Sequence, residues 1–193
     1  WKATINRVDE IPDIMRRAFT NLRSGSPGPV VIEMPQDVMA GEISDDAFNY
    51  QPVGPGSKPA ASQADVEKAA DLLVNAEYPV LNVGGGCLSS DAADEVMELA
   101  ELLSMPVASS LVAKGIFPED HPLSLGLGIY PRSRYATGPA IQINRKVDVV
   151  LAVGNSYRQP NGTDGRPFPP GVKLIHVNAD AADLNKTYMA DVP

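Results

Sequence analysis

Thiols, histidines and basic clusters are scarce in this chain, and each scarcity removes a class of function. A single cysteine, Cys87, excludes an internal disulfide. Two distant histidines, His121 and His176, without a second thiol leave no zinc-ligand spacing. This thiol usage fits a reducing cytoplasm. No Lys/Arg stripe offsets a net charge of -8, so the long-range field repels nucleic acid and anionic membranes, and neither is expected as a partner. No apolar run reaches the roughly 18 residues that a membrane-crossing helix needs. At the N-terminus, Trp1-Lys2-Ala3-Thr4 carries neither an initiator Met nor an apolar signal core, the appearance of a piece cut from something longer.

What is present is ample apolar content, 44% of 193 residues, enough for one ordinary soluble domain with an appendage. Apolar residues Ile11, Ile14, Met15, Ala18, Phe19 and Leu22 recur at helical spacing, with Asp9 placed to cap the start, and "PVVIEM" reads as a short strand ended by Pro35. Residues 41–61, rich in Pro, Gly and polar side chains, read as a linker. Beyond it strand and helix alternate. Ser62 with Asp65 resembles a capping box ahead of a helix whose apolar face is Val66, Ala69, Ala70, Leu73 and Val74. "PVLNV" reads as a strand, residues 90–103 as a helix facing inward through Ala93, Val96, Met97, Ala100 and Leu103, and "PVASS" as the next strand. A helix is expected over 137–145, then the strands "VDVVLAVG" and "VKLIHV". Short strands separated by helices predict an α/β fold, a three-layer α/β/α Rossmann-like parallel sheet, preceded by the helix-strand remnant of another α/β domain.

Ligands of such sheets bind beyond the carboxyl ends of the strands, here Gly84–Gly86, Ser109–Gly115, Gly154–Arg158 and Asn178–Asp180. Gly84-Gly85-Gly86-Cys87-Leu88-Ser89 is a degenerate dinucleotide fingerprint, its third glycine replaced by Ser89. It fits a phosphate cradle at a helix start and equally a tight strand-to-helix turn. Asn155, Ser156 and Arg158 are candidates for the same crevice. Asn178 or Asp180 suits a ribose hydroxyl, while Asp180 equally suits a helix cap. His121 and His176 read as structural, and Cys87 as a small buried side chain. "GTDG" at 162–165 reads as a turn, lacking the context of a metal loop.

"GSPGPVVIEMPQDV", "PVLNVGGG", "MPVASSLVAKGIFPEDHPLSLG", "VDVVLAVG" and "VKLIHVNADAADLNKTYMADV", in that order, resemble the thiamine diphosphate enzymes of the acetolactate synthase and pyruvate oxidase group. The most specific piece runs from Lys114 to Leu123. The resemblance implies that 1–40 end a pyrimidine-binding domain, 41–61 link, and 62–193 form the central domain with its last strand truncated. It implies a parent lyase or transferase that decarboxylates a 2-keto acid and transfers the product. Thiamine diphosphate and magnesium would be held by the remaining domains of the same chain, in a homo-oligomer. The activating glutamate and the Gly-Asp-Gly motif of the family lie outside these residues, and Glu33 is not that glutamate, so the fragment alone is expected to be inactive. In flavin-using members FAD is bound by loops matching Gly84, Gly85, Gly86, Ser110, Leu111, Gly126, Gly128, Gly154, Asn155, Ser156, Asn178 and Asp180. The chain departs from the family pattern in two places. Ser156-Tyr157-Arg158-Gln159-Pro160 stands for Arg-Phe-Asp-Asp-Arg, placing Pro160 at the substrate arginine, and Asn178-Ala179-Asp180 stands for Asp-Ile-Asp. Two other readings are a noncatalytic nucleotide-binding or assembly module and, less favoured, a free-standing Rossmann dehydrogenase, which lacks the full fingerprint and an acid/base pair.

Overall fold

A computed structural model describes residues 1–46, 48, 50–52, 54, 59–128, 146–157 and 168–193. The helix expected over 137–145, Arg158, Gln159, Pro160 and the turn at 162–165 lie outside the described residues. The chain divides into two compact units, Trp1–Pro59 and Ala60–Pro193. Among the described residues no helix is long and apolar enough to cross a membrane.

In the first unit β1 (Lys2–Thr4), α1 (Ile11–Arg23), β2 (Val31–Glu33) and α2 (Gln36–Met39) follow in order, with β1 and β2 paired in parallel. The strand at Lys2–Thr4 is an addition to the sequence reading, too short to show a period. Asp9 does not cap α1: its carboxylate is captured by Arg7, a short 3-10 turn (Val8–Glu10) intervenes, and Glu10 takes the cap position without a side-chain bond.

The second unit contains α3 (Gln63–Val74), β3 (Pro79–Val83), α4 (Gly85–Ser89), α5 (Ala93–Leu102), β4 (Val107–Ser109), β5 (Ser124–Leu127), β6 (Val149–Val153) and β7 (Lys173–Val177). Ser62 caps α3 as its sequence signature predicts, its Oγ accepting from the Asp65 amide at 3.1 Å. The buried face of α3 differs by one turn position from the expected one. Ala69, Leu72 and Leu73 pack inward, with Ala76 just past the helix end, while the expected Val66, Ala70 and Val74 are exposed. The helix read over 90–103 is α5, which starts only at Ala93; the separate short α4 precedes it, and Asp91 between the two holds φ at 56°. Its predicted inner face nonetheless packs into the core.

All five strands of the second sheet run parallel in the order β5-β4-β3-β6-β7. From β3 the chain steps outward to β4 and β5, then returns to the other side of β3 as β6 and β7. The direction of winding therefore reverses between β3 and β6, the arrangement that opens a crevice at the carboxyl ends of those two strands. One face of the sheet packs Leu81, Val83, Val107, Val149 and Leu151 against α3 and α5; the other carries Val80, Ala108, Val150, Ala152 and Leu174. Near-continuous burial of β3 and β6 follows from cover on both faces. Outside β7, Val192 makes an isolated parallel bridge to Ile175.

Candidate functional site

Because every strand points the same way, the predicted loops converge on one edge of the sheet. The two that meet at the winding reversal are Gly84–Gly86 after β3 and Gly154–Ser156 after β6. They touch backbone to backbone. A Cβ on Gly84 would lie 2.2 Å from the Gly154 carbonyl oxygen, and one on Gly86 2.7 Å from the Gly154 Cα. Gly154 itself holds φ at +65°, a left-handed conformation, and its own Cβ would meet the Cys87 amide nitrogen at 2.7 Å. The glycines are therefore required by this crossing.

The crossing also consumes donors. The Gly84 amide donates to the Val153 carbonyl at 2.8 Å, Gly86 to the Gly154 carbonyl at 3.0 Å, and Cys87 to the Gly84 carbonyl at 3.0 Å. The Gly85 amide, in the first turn of α4, makes none of these bonds, and the Val112 side chain sits over its Cα. Cys87 is buried, its Sγ 3.3 Å from the Val153 carbonyl, and burial pushes its thiol above the ordinary range. At pH 8 the folded protein should react with a thiol reagent at least about tenfold more slowly than the urea-unfolded chain, read from thionitrobenzoate release.

The other predicted residues divide by what they face. Gly126 and Gly128, at and after β5, take φ of 71° and 77°; Gly128 is buried and donates to the Ser109 carbonyl at 2.9 Å. Ser110 is half-buried, its Oγ accepting from the Ala113 amide at 3.3 Å, and Leu111 is exposed beside it. Ser156 is half-buried at the rim. Asp180 caps the short turn Ala181–Asp183 through the Ala182 amide, in agreement with the cap reading. Asn155 points inward. Its Nδ2 donates to the Asn82 carbonyl at 2.8 Å, and its own carbonyl accepts from His176 Nε2 at 2.7 Å and Asn178 Nδ2 at 2.9 Å. A carbonyl can only accept, so His176 carries its proton on Nε2.

Sequence reasoning missed Asn82, a buried polar side chain that shares a row with His176 below this rim. On the face opposite α3 and α5, cross-strand registers align Gly126, Ala108, Asn82, Ala152 and His176. The preceding row, Val80, Val150 and Leu174, is large and apolar. Tyr157 spans the gap: its hydroxyl pairs with Asn82 Nδ2 at 3.0 Å, and its ring meets His176 edge-on at 5.3 Å and Tyr188 at 5.2 Å. Asn82 and His176 are each 2% exposed. A detectable signal was a single polar residue interrupting each apolar strand one place before its end, "PVLNV" and "KLIHV".

The model of the thiamine pyrophosphate enzyme central domain matches residues 66–193. The chain belongs to the thiamine pyrophosphate enzymes. It is 37% identical over 193 residues to a protein of Methanocaldococcus jannaschii named "Probable acetolactate synthase large subunit", covering 98% of this chain and 32% of that one. With glyoxylate carboligase of Escherichia coli O157:H7 it shares 33% identity over 190 residues, again 98% of this chain and 31% of the relative. A solved structure described as "a putative thiamin diphosphate-dependent enzyme isolated from Mycobacterium smegmatis" superposes with a TM-score of 0.62 at 25% identity, over 90% of this chain and 32% of that chain. The chain thus spans about a third of the length of the relatives it matches. The Rossmann-like parallel sheet expected from strand and helix alternation is the fold of the second unit of this family member.

Proposed function

We propose that the chain is the central region of an acetolactate-synthase-like enzyme that decarboxylates a 2-keto acid and passes the carbanion equivalent to an acceptor. The observation that carries this reading is the family match over 66–193, laid on a parallel sheet whose winding reverses between β3 and β6. Thiamine diphosphate supplies the electron sink for such chemistry when bound. Among the described residues no group of three or more His, Cys, Asp or Glu could hold the metal ion that accompanies it. In this proposal thiamine diphosphate and magnesium are held by the remaining domains of the same chain, in a cytoplasmic homo-oligomer, and residues 62–193 contribute packing and a pocket for FAD or ADP. The full-length protein with thiamine diphosphate and magnesium should release carbon dioxide from pyruvate or glyoxylate. Failure with a panel of 2-keto acids would overturn the catalytic reading.

For the nucleotide, the half-buried Ser110, Ser156, Asn178 and Asp180, with the Gly85 amide, are the groups that fit its polar parts. One observation favours a second reading, a noncatalytic assembly module: the amides of Gly84, Gly86 and Cys87 are already bonded within the chain. Melting the chain with FAD or ADP separates the two. A ligand at a hundred times its dissociation constant stabilises by about 2.7 kcal/mol. On the nucleotide reading the midpoint rises by at least about 3 °C. No shift with either compound at millimolar concentration removes the pocket and leaves assembly.

A further inference from the structure

Asn155 is a hub: its Nδ2 donates to the Asn82 carbonyl, and two donors share its own carbonyl. One of them, Asn178, is half-buried at the rim; the other, His176, is buried beneath it. Asn178 is bound at both ends of its amide, since its Oδ1 accepts from the Asp180 amide at 3.0 Å. Displacing the Asn155 peptide would therefore move Asn178 and, through it, the turn that Asp180 caps. From below, that peptide is held by the 2.7 Å bond from His176, on a side chain fixed by strand β7 and the Tyr157 ring at its edge. We infer that His176 is a positioning residue for the nucleotide rim: acting through the Asn155 carbonyl, it sets the Asn178 amide and the Asp180 turn in the orientation that receives the ligand. This rests on the nucleotide reading only for the ligand; the positioning itself is a property of the chain's own hydrogen bonds.

Three measurements on the whole chain test it. In the wild type, nitrogen-15 imidazole spectra should show the His176 proton on Nε2 and not on Nδ1; the opposite tautomer overturns the inference whatever any variant does. His176→Phe keeps a flat ring and removes the donor, whereas His176→Gln restores an amide donor near the Nε2 position. The Phe variant should lose the wild-type exchange protection of the Asn178 side-chain amide, and its calorimetric affinity for ADP should fall by about tenfold, the loss expected for one hydrogen bond. The Gln variant should recover both to within about threefold. Unchanged Asn178 protection in His176→Phe, or unchanged ADP affinity, overturns the role. Should the wild type bind no ADP, the nucleotide reading falls, and amide protection alone decides the positioning. Should the Phe variant not fold, the wild-type tautomer and the Gln variant decide it.

Discussion

Gly84→Ala is expected to cost about 3 kcal/mol, at the upper end of what overpacking a core usually costs. The added Cβ would lie 2.2 Å from the Gly154 carbonyl oxygen and 2.6 Å from the Asn155 amide nitrogen. Both are backbone atoms, so no rotamer change relieves the clash; β3 and β6 must separate. The Val153 and Gly154 carbonyls would then lose their partners in the opposite loop. Gly171→Ala is the control. Its φ of +88° makes alanine strained, but the new methyl meets nothing within 4 Å. That strain alone is worth about 1–2 kcal/mol. Urea unfolding of both variants checks the difference, and equal losses would mean that the crossing tolerates separation.

A second large effect is expected from Asn155→Asp, which preserves shape and replaces the donor by an acceptor. At pH 7 a buried carboxylate would face the Asn82 carbonyl, to which Asn155 Nδ2 now donates at 2.8 Å. Burial and that carbonyl both favour the protonated acid, so the folded-state pKa of the new carboxyl lies above its unfolded value near 3.9. Between those two values the folded state holds the extra proton, and stability falls as pH rises by about 1.4 kcal/mol per pH unit. The variant should be close to the wild type near pH 4, where the protonated acid can donate, and roughly 3 kcal/mol less stable at pH 7. Denaturant midpoints of both proteins at the two pH values measure this. A pH-independent difference would show that the carboxyl reaches solvent.

The overall architecture was legible because its determinants are local. Ser62 and Asp65 lie three residues apart, and the inward row of α5 repeats at helical spacing. Strand β5 escaped notice because Gly126 sits inside "SLGL", and glycine depresses strand propensity even though Leu123, Leu125 and Leu127 alternate. The helix α4 escaped for the same reason, since Gly85 and Gly86 form its first turn. Asp9 failed as a cap because Arg7, two residues away, competes for its carboxylate, a contest that a cap rule does not contain. At the site, sequence located the loops correctly on one sheet edge, but not the direction of their side chains. Asn155 faces inward because Asn82 and His176, far away in sequence, are brought beside it only by the register of β3, β6 and β7. Such partnerships carry no sequence period.

The backbone crossing of Gly84, Gly86 and Gly154 also bears on the order in which the chain organises itself. Leu81 meets Val107 across one short crossover, whereas Pro79 meets Val149 across a far longer stretch of chain. Closing the longer loop costs more entropy and delivers its contacts later. The half built from β3, β4 and β5 can therefore assemble before β6 arrives, and the glycine crossing closes only once β6 has docked. The pinch at the crevice then acts as a latch on a nearly finished sheet, so that damage there hastens unfolding more than it slows folding.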